Sequence, residues 1–351
     1  MSSKRVTSQD VAKAAGVSRT TVSMVLNNVQ HIKISEQTRQ HVLETALALG
    51  YVPNAAAQAL ASSRSQIIGL VMARLPYHII ADAFLNLLLD GFLQSIHRNG
   101  LRLLVDIVEP KHQQETYLRL ARAKHIDGLI LAGVRQDDEG VYSLVKEGIP
   151  AVLIGSLPDP IIDTVDVDNR SASKVAVEHL IGLGHTQIAC ITNASLEYSS
   201  PYQRLEGYRR ALNSAGLSYN EDLVRQGDYD IESGYHQTNS LLDAQTPFSA
   251  IFVASDVVAL GAIAALHERK LRIPEDIAIV GFDDVPMARF TTPSLTTIHV
   301  PAQKMAEDAC ELLVSKIANG DAPIQHIHLP SQLVVRNSCG AKQTSIATSH
   351  S

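Results

Sequence analysis

The stretch AAGVSRTTVSMVLNN, Ala14–Asn28, sets Thr20, Ser23, Met24 and Asn27 at helical spacing, with Val22, Val25 and Leu26 between them. An ordinary surface helix hides one face and gives the other long charged side chains. This one presents short hydrogen-bonding groups, with Arg19 beside them. Ser18 supplies the N-cap of a helix running from about Arg19 to Asn27. Upstream, Thr7 caps another helix, Asp10 stands three residues on in a capping-box position, and Gly16 closes it. Only Gly16 to Ser18 separate the two helices, which forces them to cross steeply, as in a helix-turn-helix unit. Beyond the polar segment NVQHIKI, Ser35 caps a third helix whose apolar side includes Val42, Leu43, Ala46 and Leu47 and which stops at Gly50.

Short polar side chains let a helix backbone come close to phosphates and base edges. The second helix of a helix-turn-helix lies in the major groove with its first residues at the bases, and its free N–H groups attract phosphate. A small solvated helical bundle fits the same pattern. Charge favours the first reading. Residues 1–66 carry Lys4, Arg5, Lys13, Arg19, Lys33, Arg39 and Arg64 against Asp10, Glu36 and Glu44, whereas the whole chain has a net charge of −6. A basic head on an acidic body is the asymmetry expected when one end meets a polyanion.

At 351 residues the chain exceeds one typical core, and its 45% hydrophobic and 19% charged content is that of a globular protein. It shows no apolar run of the ~20 residues needed to span a bilayer, and MSSKRVTSQD lacks the apolar stretch of a secretory signal. Cys190, Cys310 and Cys339 are too few and too scattered for a disulfide framework or a zinc site, so a reducing cytoplasm is expected.

YVPNAAAQALASSRS follows the third helix. Pro53 interrupts, Asn54 can cap, and Ala55 to Ala61 favour a helix too short to persist alone in water. From Gln66 the pattern changes. The apolar runs IIGLVMA, LRLLVDIV, GLILAGV and AVLIGS alternate with helical stretches such as Phe84 to Arg98, and IACITN, AIFVAS and IAIVGFD form a second such series. Continuous apolar strands alternating with helices make parallel sheets covered on both faces, and two series make two α/β lobes. The tail AKQTSIATSH has no periodicity and reads as disordered.

TSQDVAKAAGVSRTTVSMVLN, ISEQTRQHVLETALALGYVPN and AAAQAL resemble the lactose-repressor family of bacterial regulators. The likeness continues through VEHLIGLGH, RLEGYRRAL, ESGY and IPEDIAIVGFDDVPMARFTTPSLTTIHVP. It implies an α/β protein: an all-α helix-turn-helix headpiece (residues 1–52), a hinge helix or linker (53–65), and a two-lobed periplasmic-binding-protein-like core with parallel sheets (66–340). Lobe 1 would span about 66–166 and 302–328, and lobe 2 about 167–301 and 329–340, with crossings near Val167, Pro301 and Leu329 and a disordered tail at 341–351. The resemblance assigns base reading to Arg19 and Thr20 and phosphate contact to Ser18, Ser23, Asn27, Ser35 and Thr38. Asn54 joins the DNA-contacting set as the cap of the linker, and Leu60 is the wedge that enters the minor groove at the operator centre. Met24 departs from the pattern, where an arginine usually pairs with guanine, and a thioether cannot make that bidentate contact.

In the cleft between the lobes the resemblance implies that Arg204 and Asp283 bracket polar groups of a small effector, on which Tyr229 stacks. Phe84 matches a further aromatic, for which plain core packing is an open alternative. Ser255 stands where sugar-binding members often have asparagine, and Tyr198 and Ser200 are also within reach. Tyr198 replaces an arginine of the purine-binding pattern, which leaves a sugar as the expected effector. The expected partners are therefore pseudo-palindromic operator DNA, a sugar and a second copy of the chain, with no membrane, metal or cofactor. The tail offers no leucine for the heptads of a tetramer, so a homodimer is expected. His179, His185 and His299 lie at no metal-ligand spacing, and neither a phosphate loop nor a nucleophile elbow occurs, so an enzyme is not expected.

Overall fold

A computed structural model of the chain describes residues 6–26, 34–52, 64–74, 76–108, 113–123, 125–320 and 322–341. Asn27, Asn54 and Leu60, residues 53–63 of the expected hinge helix or linker (53–65), and the tail from 342 onward lie outside these described residues.

The head consists of α1 (Ser8–Ala14), α2 (Arg19–Leu26) and α3 (Glu36–Ala48). Each start is held by its cap. The Thr7 hydroxyl accepts from the Asp10 amide while the Asp10 carboxylate accepts from the Thr7 amide 2.8 Å away, closing a capping box. The Thr21 amide donates to Ser18 Oγ at 3.0 Å, and the Thr38 amide to Ser35 Oγ at 3.1 Å. Val11, Ala12, Ala15, Val22, Val25, Val42 and Ala46 form the small core, with Leu26 half-buried at its edge. One expectation needs correcting. Leu43 and Leu47 were expected on the apolar side of α3, but both are exposed, Leu47 by 83%. The inward stripe is Val42 and Ala46, four residues apart, and a residue one position further round the helix has turned by about 100°.

Beyond the head, β1 (Ile67–Met72), α4 (Pro76–Ala81), α5 (Ala83–Arg98), β2 (Arg102–Ile107), α6 (Gln113–Arg122), β3 (Gly128–Ala132), α7 (Glu139–Lys146), β4 (Ala151–Ile154) and β5 (Asp163–Val167) build the first lobe. The second follows with α8 (Asn169–Gly182), β6 (Ile188–Thr192), α9 (Ser199–Ser214), β7 (Val224–Gln226), α10 (Ile231–Asp243), β8 (Ala250–Val253), α11 (Asp256–Glu268), β9 (Ala278–Asp283) and β10 (Thr296–His299). The chain then returns through α12 (Ala302–Asn319) and β11 (His326–Leu329) to the first lobe and ends with β12 (Gln332–Val334) in the second.

The sheet orders are β11-β5-β4-β3-β1-β2 and β12-β10-β9-β8-β6-β7, parallel throughout except for β12 on β10. Every residue of β3 and of β4 is buried, as sheets covered on both faces require. The chain passes between the sheets after β5, after β10 and between β11 and β12. One apolar cluster runs through both lobes, from Ile68 and Phe92 to Phe252 and Phe282. β5, DTVDV, escaped the search for apolar runs because two aspartates interrupt it; both are buried and partnered, Asp163 by Lys316 and the Gln325 amide, and Asp166 by Asn169 and the Val167 amide.

Candidate functional site

In a doubly wound sheet, strand order reverses at one point, and the carboxyl ends of the strands open into a crevice there. Both sheets reverse this way, between β1 and β3 and between β6 and β8. Their strand ends face one another across a cavity of about 610 Å³ of space between atoms, counting its open mouth. Arg74 follows β1, Gly133 and Val134 follow β3, and Gly155 follows β4 on one side; Tyr198, Ser199, Ser200 and Arg204 from the start of α9, and Tyr229 beyond β7, stand on the other.

Of the expected effector residues, Phe84, Tyr198, Ser200, Arg204 and Tyr229 border this cavity. Phe84 also packs against the main core. Asp283 and Ser255 are buried beside the cavity and are not among the residues lining it: Asp283 bonds Arg204, and Ser255 bonds Asp283. Arg204 Nη1 donates to Asp283 Oδ1 at 3.2 Å and to the Ala254 carbonyl at 2.7 Å, Nε donates to Asn169 Oδ1 at 2.9 Å, and the guanidinium stacks 3.7 Å from the Phe282 ring centroid. Burial pushes the Asp283 carboxyl up to about 7 against the pull of Arg204 and Ser255, and burial likewise raises Asp166 to about 6. Asp283 also takes a left-handed φ of 114°, which a side chain adopts only where its surroundings over-determine it.

Sequence reasoning missed Arg74. Its guanidinium carbon lies 3.6 Å from the Tyr229 ring centroid, across the cleft, and its Nη1 bonds Asp82 Oδ2 at 2.6 Å. A signal was available: Arg74 comes directly after the run IIGLVMA, at the strand end where such sheets take their ligands. Further contacts bridge the lobes. His78 Nε2 lies 3.5 Å from Asp228 and 3.8 Å from Asp230. Arg135 Nη1 bonds Glu197 Oε2 at 2.5 Å, the Gln136 amide donates to the Glu197 carbonyl, and Gln203 Nε2 donates to Ser156 Oγ at 2.8 Å.

The head offers the other candidate surface. Ser18, Arg19, Thr20 and Ser23 are exposed along α2, and Met24 is half-buried. Arg19 Nε donates to Ser8 Oγ at 3.2 Å, which lays its guanidinium across the entrance to α1. Ser35 is exposed and Thr38 half-buried, and their hydroxyls lie 2.8 Å apart at the start of α3. The four amides that open a helix attract anions, and here two helix starts lie on one small basic domain.

The model of "Bacterial regulatory proteins, lacI family" matches residues 7–54, and that of a "Periplasmic binding protein-like domain" matches 177–339. The HTH-type transcriptional regulator CelR of Thermobifida fusca is 32% identical over 95% of this chain and 98% of its own length. This chain belongs to the lacI family. DegA of Bacillus subtilis (strain 168), another HTH-type transcriptional regulator, is 34% identical over 97% of this chain and 100% of its own. Among solved structures, the lac repressor dimer bound to operator and an anti-inducer aligns with a TM-score of 0.84 at 30% identity, covering 96% of this chain and all of that one. The CelR–cellobiose complex aligns with a TM-score of 0.73 at 32% identity, over 95% and 100%. This lacI-family member is a ligand-responsive, DNA-binding transcriptional regulator, and its relatives are regulators, not enzymes. Among the described residues no helix is long and apolar enough to cross a membrane.

Proposed function

We propose that this regulator represses carbohydrate-utilisation genes as a cytoplasmic homodimer on a pseudo-palindromic operator, and that a sugar-derived effector in the cleft releases it. The observation that carries the reading is the convergence of two sets of strand ends on one cavity whose far wall is Arg204, fixed by Asn169, Ala254 and Asp283. Arg204 Nη2 makes no hydrogen bond to the described residues and is the donor a ligand oxygen takes up. Tyr229 supplies the stacking face, Tyr198, Ser200 and Phe84 complete the wall, and Asp283 and Ser255 orient Arg204.

On DNA, Arg19 and Thr20 meet base edges, and Ser18, Ser23, Ser35 and Thr38 approach phosphates. Asn27, Asn54 and Leu60 keep the roles that the family resemblance assigns. Exposed Tyr77, Ile80, Leu93, Val105 and Ile107 on the first lobe, with Met287 and Phe290 on the second, suit a surface shared with a second copy. The lac repressor relative is a dimer on its operator, and CelR is held in complex with cellobiose, which supports both partner assignments by kinship. An effector shifts the operator equilibrium only through its different affinity for the two lobe arrangements.

Operator affinity, measured on fragments of the protein's own promoter region with and without a panel of sugars and sugar derivatives, tests the reading. Binding should weaken steeply with salt, because neutralised phosphates release counterions, and one panel member should weaken it further. If the protein retards no such fragment, and removing residues 1–63 changes nothing measurable, the proposal is wrong.

A further inference from the structure

Three charged side chains, Arg74, Arg204 and Asp166, line the cavity. Each arginine has a carboxylate of its own: Asp82 Oδ2 lies 2.6 Å from Arg74 Nη1, and Asp283 Oδ1 lies 3.2 Å from Arg204 Nη1. Asp166 is held differently. Its Oδ1 accepts from the Val167 amide at 2.8 Å and from Asn169 Nδ2 at 3.1 Å, and Oδ2 receives the longer arm of the same Asn169 group at 3.2 Å. Both donors are neutral. A carboxylate accepts at about four lone-pair sites, so Oδ2 keeps room for a further donor. Burial raises the Asp166 carboxyl to about 6, which leaves it ionised at neutral pH. A buried charge is costly unless hydrogen bonds or a partner compensate it, and a further donor from the cavity does so.

The segment VDVDN, residues 165–169, sets this carboxylate beside Arg204 where β5 ends and α8 begins. Asp168 caps α8 by accepting from the Ser171 amide at 3.0 Å, which fixes Asn169 as the first helical residue. Asn169 is buried, and its side-chain amide is used at both ends. Oδ1 accepts from Arg204 Nε at 2.9 Å, and Nδ2 donates to Asp166. One planar amide thus spaces a guanidinium from a carboxylate, and both residues line the same cavity. A guanidinium only donates and an ionised carboxylate only accepts. The ligand group that suits both must accept and donate at adjacent atoms, as hydroxyls on neighbouring carbons do. A carbonyl has no hydrogen to give, an anionic oxygen faces the charge of Asp166, and an ammonium faces that of Arg204.

We propose that Asp166 is a specificity-determining residue of the cleft: it accepts a hydrogen bond from one hydroxyl of a vicinal diol on the effector, while Arg204 Nη2 donates to the neighbouring oxygen. This rests on the cleft being the effector site. The acceptor role expected of Asp283 passes to a residue that sequence reasoning did not single out, since Asp166 lines the cavity and Asp283 does not.

The full-length protein is titrated calorimetrically with D-glucose, D-galactose, D-mannose and D-xylose, and with the monodeoxy analogues of whichever binds most tightly. At least one analogue should bind about ten- to a hundredfold more weakly than its parent sugar, the loss expected for one charge-assisted bond. Asp166→Asn should weaken the parent sugar by a similar factor and leave that analogue unchanged, because the two changes remove the two ends of one contact. Asp166→Ser, which still accepts from Asn169, should repeat the pattern, and thermal unfolding establishes that both variants fold. If the variants weaken the parent sugar and every analogue by one common factor, Asp166 only props Asn169 and Arg204, and the proposal is overturned. If they bind the parent sugar as the unaltered protein does, and that sugar releases operator DNA, the Asp166 contact is refuted while the cleft keeps its role. If none of the four sugars binds, the diol contact is refuted, and the sugar reading falls with it when the wider panel also fails to release operator DNA.

Discussion

The guanidinium carbon of Arg74 sits 3.6 Å from the ring centroid of Tyr229, and the two residues belong to opposite lobes. The pair is sheltered from water, where a cation–π contact is worth about 2 kcal/mol. Together with His78 facing Asp228 and Asp230, it resists opening of the cleft. Tyr229→Leu keeps much of the apolar volume and removes the ring face. It should cost about 1–2 kcal/mol of stability and raise the radius of gyration of the unliganded protein as the lobes part. Urea titration and small-angle scattering read the two effects, and an unchanged value of both would mean that the contact does not hold the lobes together.

Met24 stands where the family resemblance leads one to expect an arginine, and it is half-buried beside exposed Thr20 and Ser23. A thioether offers apolar contact, at best to a thymine methyl, and no fork for guanine. Met24→Arg should therefore impose a guanine preference of about 1–3 kcal/mol at one base pair of each half-site. Selection of operators from a randomised pool by both proteins checks this, and identical selected sequences would count against a base-reading role for position 24.

Much of this architecture was legible because helix starts and buried strands write themselves in short patterns. Thr7, Ser18 and Ser35 announced three caps that the structure shows closed. The apolar runs gave the central strands, whose residues are buried on both faces. β5 was invisible because two aspartates interrupt its apolar pattern, and the partner that lets Asp163 be buried, Lys316 on α12, is far off in sequence. The cleft divided in the same way. Tyr229 and Arg204 sit within recognisable motifs, but Arg74 acquires meaning only once β1 and β7 end on opposite sides of one cavity. Asp283 and Ser255 were expected at the ligand, and in the folded chain both are buried, Asp283 bonded to Arg204 and Ser255 to Asp283.

Asp283 links the cleft to pH. An aspartate in an unfolded chain titrates near ~3.9, whereas burial raises Asp283 to about 7 in the folded protein. Between those values the native state holds the extra proton, so this stabilisation is complete below the unfolded pKa and is lost as pH rises through about 7. Asp166, raised to about 6, acts in the same direction. The urea midpoint should decline from about pH 4 to about pH 7 and level off above that, and Asp283→Asn, whose amide oxygen still accepts from Arg204, should flatten part of that decline. A variant that titrates like its parent would place the ionisation elsewhere.

The last expectation concerns how Arg204 is positioned. Gly207 lies one turn further along α9, where a Cβ would come within 2.3 Å of the Arg170 carbonyl oxygen and 2.7 Å of Ser173 Cβ on α8. Neither is the loose end of a side chain. The missing side chain therefore lets the two helices touch, and that contact brings Asn169 Oδ1 to 2.9 Å from Arg204 Nε. Gly207→Ala should push α9 outward, cost about 1–3 kcal/mol of stability by overpacking, and weaken effector binding by loosening Arg204. The control is Gly182→Ala at the end of α8, where a Cβ meets nothing within 4 Å. That variant should match the parent in effector affinity and gain or lose little stability. Because the head folds around its own core, operator binding without effector should survive both changes. Equal effector affinity in Gly207→Ala and Gly182→Ala would break the proposed link between helix contact and ligand grip.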